Sequence, residues 1–324
     1  MCSFVLYSLK WVIIGVETEG EVIKVFFLKN ERLRVEIAEP GEAPNHRTRF
    51  DRAAYISDVL LDGEMRFTAS EPRNLVHPTS GGMGFCRELR CDVSADAKVG
   101  AYYPKFGVGL IRREDEPKYS FYKEYTDVIP FDVSVEHNST TAYFLTASMP
   151  CLGYALESRR KVTLQDTTLT VETELHNTGD KAISMEEFCH NFISIDGMAV
   201  GSDYHLEIPS APDLGQSRLN NRRGFSGVLR GEGRGVTFCE FTAIDTDYAI
   251  DCNRLHKDIP FTWKLSHQGA KAYVLGADSF VPGKIAIWGV DHMLCPEIVH
   301  CFTLEPGERI AFSRALTFGR EGQA

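Results

Sequence analysis

The side chains best suited to moving a proton in this chain are His190 and Glu297, far apart in sequence. His190 lies at the centre of Met185-Glu186-Glu187-Phe188-Cys189-His190-Asn191-Phe192-Ile193-Ser194-Ile195. In an extended chain side chains alternate between faces. Glu186, Phe188, His190 and Phe192 then share one face, and Met185, Glu187, Cys189, Asn191 and Ile193 the other. An imidazole between two aromatic rings suits a sugar, because C–H faces stack on phenyl rings and imidazole exchanges protons near neutral pH. The pattern also fits a core histidine, hydrogen-bonded and inert. Glu297 closes the segment Ile287-Trp288-Gly289-Val290-Asp291-His292-Met293-Leu294-Cys295-Pro296-Glu297. Pro296 has no N–H for a ladder, so pairing should weaken there and the carboxylate can face a cleft. The alternative is a solvated surface glutamate. Proton-shuttling chemistry needs one acid and one base, and only a fold brings these two together.

Other chemistries fit less well. His292, Cys295, His300 and Cys301 cluster, but without the paired short loops of a structural zinc site, and strand alternation scatters them over two faces. No metal is expected. Cys189 beside His190 cannot form a thiol–imidazole pair, because strand neighbours point to opposite faces. A G-x-S-x-G elbow is missing. Ser80-Gly81-Gly82-Met83-Gly84 lacks the Lys-Ser/Thr of a P-loop. It reads as a loop that brings backbone close to a ligand or another strand. Two aromatic and polar segments, Tyr102–Ile111 and Tyr119–Tyr125, fit the lining of a carbohydrate cleft and equally fit edge strands with ordinary cross-strand pairs. Within them Lys105, between Pro104 and Phe106, and Tyr122 are candidates to hold a ligand.

The elements that must position these residues are strands. Tyr55–Leu61 reads as a strand followed by an Asp62-Gly63 hairpin turn. Val22 to Ile37 reads as two short strands around Asn30-Glu31, and Glu39 to Asn45 as a loop. Val162 and Leu164 alternate with polar residues, Asp166-Thr167-Thr168 turns, and Leu169, Val171, Thr173 and Leu175 alternate again. Asn177-Thr178-Gly179-Asp180 turns once more into the His190 segment, giving three consecutive antiparallel strands. Arg218 to Arg223 reads as a basic loop. Further strands are expected at Val236–Phe241, Phe261–Leu265, Ala272–Leu275, Ile285–Trp288, Cys301–Leu304 and Ile310–Phe318. Many short strands without amphipathic helices imply an all-β antiparallel sandwich. No linker or internal repeat divides residues 1–324, so a single domain is expected.

Composition narrows the partners. The chain has 324 residues, 43 % hydrophobic and 25 % charged, and a net charge of -10. A surplus of acid argues against nucleic acid and against an anionic membrane surface. Nine cysteines without a framework spacing fit reduced thiols in a cytoplasmic protein. Met1–Val16 is apolar but contains Lys10 and lacks a small-residue cleavage site, so a signal peptide is not expected. No stretch approaches the roughly 20 apolar residues of a membrane span.

Phe188-Cys189-His190-Asn191-Phe192-Ile193 resembles the strand that bears the catalytic histidine in the aldose 1-epimerase (galactose mutarotase-like) superfamily. Leu294-Cys295-Pro296-Glu297, then Leu304-Glu305-Pro306-Gly307-Glu308 and Ala315-Leu316-Thr317-Phe318, resembles that family's C-terminal signature of a catalytic glutamate, a turn and a closing strand. Asn177-Thr178-Gly179 fits as well. The likeness covers the last half of the chain. The first half matches more loosely, through Arg49-Phe50-Asp51. The resemblance implies a β-supersandwich, a sugar cleft, no metal or organic cofactor, and a monomer or homodimer acting on a sugar or sugar derivative. It makes Glu297 the general base on the anomeric hydroxyl and His190 the general acid on the ring oxygen. Arg49, His77, Lys105 and Tyr122 would contact the sugar, with His77 of Val76-His77-Pro78 in place of the family's second histidine. A non-catalytic carbohydrate-binding protein on the same fold is the rival expectation, and a lyase or glycosidase component a third.

Overall fold

The computed structural model describes residues 17–18, 21–22, 24–42, 48–71, 80–114, 118–211, 220–221, 229–232, 234–238, 246–250, 252, 255–256 and 260–322. Met1–Val16, His77, Asn45, Arg218, Arg222, Arg223 and the Cys239–Phe241 end of an expected strand lie outside them. Among the described residues the regular structure is strand, apart from one short 3₁₀ turn at Ser94–Asp96. Two ten-stranded sheets carry the fold, beside a three-stranded and a two-stranded one. The pairings that build the large sheets are antiparallel. No helix of the described residues is long and apolar enough to cross a membrane.

One sheet, the site sheet, runs through Lys284–Val290, Met293–Leu304, Ile183–Asn191, Phe85–Arg90 and Tyr55–Leu61 in that spatial order. The other runs through Leu156–Gln165, Thr168–Asn177, Arg309–Arg320, Ala272–Asp278 and Thr262–His267. Between them lies the main core. Leu28, Val35, Ile56, Phe85, Ile285 and Ile298 from the first meet Val162, Leu169, Trp263, Leu265, Val274 and Phe318 from the second. Each such aliphatic side chain contributes about 1.5–3 kcal/mol on leaving water.

The three strands expected in succession from residue 162 do form, but they do not share a sheet. Thr168–Asn177 pairs with Leu156–Gln165 and Arg309–Arg320, whereas Ile183–Asn191 pairs with Phe85–Arg90 and Met293–Leu304. The turn at Asn177-Thr178-Gly179 is therefore a corner between sheets. Buried Asn177 pins it, donating from Nδ2 to Lys181 O at 2.8 Å and Leu304 O at 2.9 Å and accepting from Gly179 N at 3.0 Å. The Glu305-Pro306-Gly307-Glu308 turn is the second corner. It meets the first: Gly307 N donates to Asn177 O at 2.9 Å and Asn177 N to Glu308 O at 3.0 Å. One asparagine thus ties the start of the histidine strand to the end of the glutamate strand.

The Ile287–Glu297 segment is a hairpin, whose first arm contains the strand expected at Ile285–Trp288. It turns at Asp291-His292, and Met293–Leu304 continues well past the proline. Pairing does weaken on one side of Pro296. The ladder to the histidine strand runs from Ile183↔Leu304 to Glu187↔His300 and resumes as a single bridge at Ile193↔Leu294. In the gap Asn191 Nδ2 donates to Pro296 O at 2.6 Å.

Candidate active site

The interrupted ladder keeps one register, and that register sets His190 opposite Glu297. The two side chains meet: His190 Nε2 is 2.8 Å from Glu297 Oε1. A carboxylate only accepts, so the shared proton belongs to Nε2. The alternation read from the sequence holds. Phe192 stacks on the His190 ring, with centroids 4.1 Å apart and planes at 12°. Glu187, Cys189 and Asn191 face the other way and line a small cavity between the sheets. Phe50 and Trp288 stand edge-on to the imidazole at 6.1 and 5.4 Å. Together with Cys86, Tyr55, Met293 and Cys295 these rings form a second, smaller apolar cluster on the site face.

This face is roofed by loops. Gly82 passes so close to Phe192 that a Cβ would lie 2.0 Å from its ring, and Gly84, at φ +60°, would meet Ile56 O at 2.2 Å. The glycine-rich run is thus a close backbone approach to other strands. His190 is 3 % exposed and Glu297 14 %, so solvent reaches the pair through the carboxylate.

A set of charges surrounds the pair. Arg49 Nε donates to Glu88 Oε2 at 2.7 Å, and Nη1 to Ser80 Oγ at 2.8 Å. Phe50 and Phe121 cover the guanidinium at 4.9 and 4.2 Å. Burial pushes the Glu88 carboxyl up, but Arg49, Lys105 and Arg90 outweigh it and hold it down at about 2. Burial also pushes Glu297 up, and His190 and then Arg49 bring it below the usual carboxylate range. Lys105 is buried, donates to Leu89 O at 2.8 Å and lies 5.4 Å from the Tyr119 ring. Burial lowers it to about 8 against the pull of Glu88. Tyr122 is exposed, its ring 4.3 Å from that of Phe121.

Of the residues singled out in the sequence, His190 and Glu297 are in contact and Arg49 belongs to the charges around them. Lys105 is buried, with its ammonium hydrogen-bonded to Leu89 O, and Tyr122 lies beside the Phe121 ring that covers Arg49. Sequence reading missed Glu88, Ser80, Glu71, Phe50 and Trp288. Alternation in Phe85-Cys86-Arg87-Glu88 puts Glu88 on the His190 face, and register sets it against Phe188. A buried acid on a half-apolar strand was the available signal.

No family model and no curated protein matches this chain. Solved structures do. A putative aldose 1-epimerase from Escherichia coli K12 superimposes with a TM-score of 0.57 at 10 % identity, over 92 % of this chain and 99 % of that one. The chain has the galactose mutarotase-like fold. A galactose mutarotase-like protein from Lactobacillus casei gives 0.56 at 14 %, over 91 % and 100 %. A galactose 1-epimerase from Lactobacillus acidophilus gives 0.51 at 14 %, over 97 % and 99 %. The β-supersandwich that the resemblance implied is therefore the architecture of this chain. In this mutarotase-like fold the strands at the centre of the site sheet carry the His190–Glu297 pair.

Proposed function

We propose that this protein is an aldose 1-epimerase-like isomerase that interconverts sugar anomers. The observation that carries the reading is the direct contact of an imidazole and a carboxylate, walled by aromatic rings. A cyclic sugar's anomeric hydroxyl and ring oxygen are bonded to the same carbon. An acid and a base that touch each other are spaced to serve two such oxygens.

Ionised Glu297 takes the proton from the anomeric hydroxyl. The freed electron pair forms the C1 carbonyl, the bond from C1 to the ring oxygen breaks, and that oxygen takes a proton from imidazolium His190. Rotation about C1–C2 and the reverse transfers close the ring on the other face. Both protons return to their starting groups. Each transfer contributes about 10²–10⁴-fold. Half-buried Trp288 supplies a face for sugar C–H groups, and Tyr122 and Lys105 border the set of charges beside the pair.

A second reading, a non-catalytic carbohydrate-binding protein, draws on the near-complete burial of His190, whose Nδ1 is enclosed with no hydrogen-bond partner among the described residues. Anomer exchange, followed by polarimetry or NMR over an aldose panel, separates the two. Acceleration that His190→Ala and Glu297→Gln abolish supports the isomerase. Sugar binding with exchange at the buffer rate supports the binder.

A further inference from the structure

Pro296 leaves the ladder between the histidine and glutamate strands one donor short, at the rung next to the His190–Glu297 pair. The register that faces His190 with Glu297 faces Asn191 with Pro296. One rung further on, Ile193 and Leu294 exchange both backbone bonds, at 3.0 and 2.9 Å. Such rungs fall on every second pair of an antiparallel ladder, so the Asn191–Pro296 position is one of them. Pro296 has no N–H to give it. His190 and Glu297 occupy the intervening position, where side chains come closest and no backbone bond ties the strands. The Asn191 side chain crosses the gap. It is buried, and its Nδ2 donates to Pro296 O at 2.6 Å. Asn191 O accepts from Ile193 N at 2.9 Å in place of a proline donor.

An acid and a base serve neighbouring oxygens only while their spacing holds, and a misplacement of about 1 Å costs roughly 10²-fold in rate. A ladder that lacks a rung beside the pair gives the two strands room to part where that spacing is set. We propose that Asn191 is a positioning residue, whose amide replaces the rung that Pro296 cannot form and so holds His190 against Glu297. This rests on those two side chains being the acid and base of the proposed reaction. His190 precedes Asn191 and Glu297 follows Pro296, so the amide bond joins the immediate chain neighbours of both groups. Alternation turns the Asn191 side chain away from the sugar side. It lines the small cavity between the sheets, with Arg87, Phe85 and Ile298. Asn191 therefore acts through the strands and not on the sugar.

The test follows the His190 Nε2 proton by NMR in the full chain, labelled with ¹⁵N-histidine and free of substrate, with His190→Ala assigning the signal. Asn191→Leu is close in size and has no donor. It should shift this proton upfield and slow anomer exchange about 10²-fold, with KM little changed. Pro296→Ala returns a backbone N–H to the rung, so adding it to Asn191→Leu should restore the wild-type signal and recover rate. If Asn191→Leu does not fold, Asn191→Ser, with and without Pro296→Ala, decides in its place. A lowered thermal midpoint with the His190 signal unmoved would make the amide bond a structural one alone and overturn the proposal. A signal that moves and stays moved when Pro296→Ala is added would trace the effect to the cavity between the sheets, and would overturn it too. Because the signal is read without substrate, a lack of exchange with every aldose would count against the isomerase and leave this result readable.

Discussion

Two buried ionic clusters lie on opposite faces of the same strands, and they differ in how their charges are closed. Between the sheets, Arg314 donates to Glu187 Oε2 at 2.6 Å and Asp278 Oδ1 at 2.7 Å, tying one sheet to the other. Arg87 pairs with Asp51 and donates to Ser158 Oγ at 2.8 Å, and Arg160 Nη1 donates to Ala53 O at 2.7 Å. Here fixed cations meet acids. On the site face the central contact is an imidazole with a carboxylate, whose charges can both disappear by one proton transfer. Arg49-Phe50-Asp51 contributes to both clusters, Arg49 outward and Asp51 inward. Burial and charge alone therefore do not mark chemistry. What sets the His190–Glu297 contact apart is that one proton can pass between its two groups where solvent still reaches them.

The comparison breaks most visibly under mutation. His190→Ala or Glu297→Gln should slow anomer exchange by about 10²–10⁴-fold with little change in thermal midpoint, measured by NMR exchange and circular dichroism. Glu187→Ala should do the reverse. It leaves buried Arg314 with Asp278 as its acid partner and should cost about 1–3 kcal/mol in urea unfolding, while the rate per folded molecule stays the same. A variant of Glu187 that unfolds normally but loses exchange would erase the distinction between the clusters. Asn177→Ala, at the corner shared by both sheets, should cost about 1–3 kcal/mol through its unpaired backbone groups, and should raise amide exchange first at both turns.

The smallest effect sharpens the contrast through pH. Glu88 is held at about 2 in the folded chain, below the ordinary glutamate value near 4.3. Its contribution to stability is full above the ordinary value and is lost as pH falls toward about 2. Burial raises Asp278 despite Arg314, so its sign is opposite: the folded state gains on acidification. Urea midpoints should fall less steeply on acidification in Glu88→Gln than in wild type. An identical acid slope would place the stabilising acid elsewhere.

Much of this was legible in the sequence. Period-two alternation gave the strands, the His190 face and the turns at Asp62-Gly63 and Asp166, where positive φ falls on the residues read as turns. The two corners were not legible as corners. A turn such as Asn177-Thr178-Gly179 looks alike whether the next strand pairs with the last one or leaves for another sheet, and only the distant partners decide. The contact of His190 with Glu297 depends on the register of two strands distant in sequence, which local pattern does not encode. Lys105 carried no mark of where its charge goes, since its ammonium is hydrogen-bonded to Leu89 O on another strand. The Arg49 network was hidden for the same reason.

The most direct measurement is the anomer exchange rate of a panel of free aldoses, read by NMR saturation transfer with wild type, His190→Ala and Glu297→Gln at equal folded concentration. Acceleration of at least one aldose by wild type, lost in both variants, is the predicted result. Exchange at the buffer rate with every sugar, or acceleration that survives both substitutions, would contradict it.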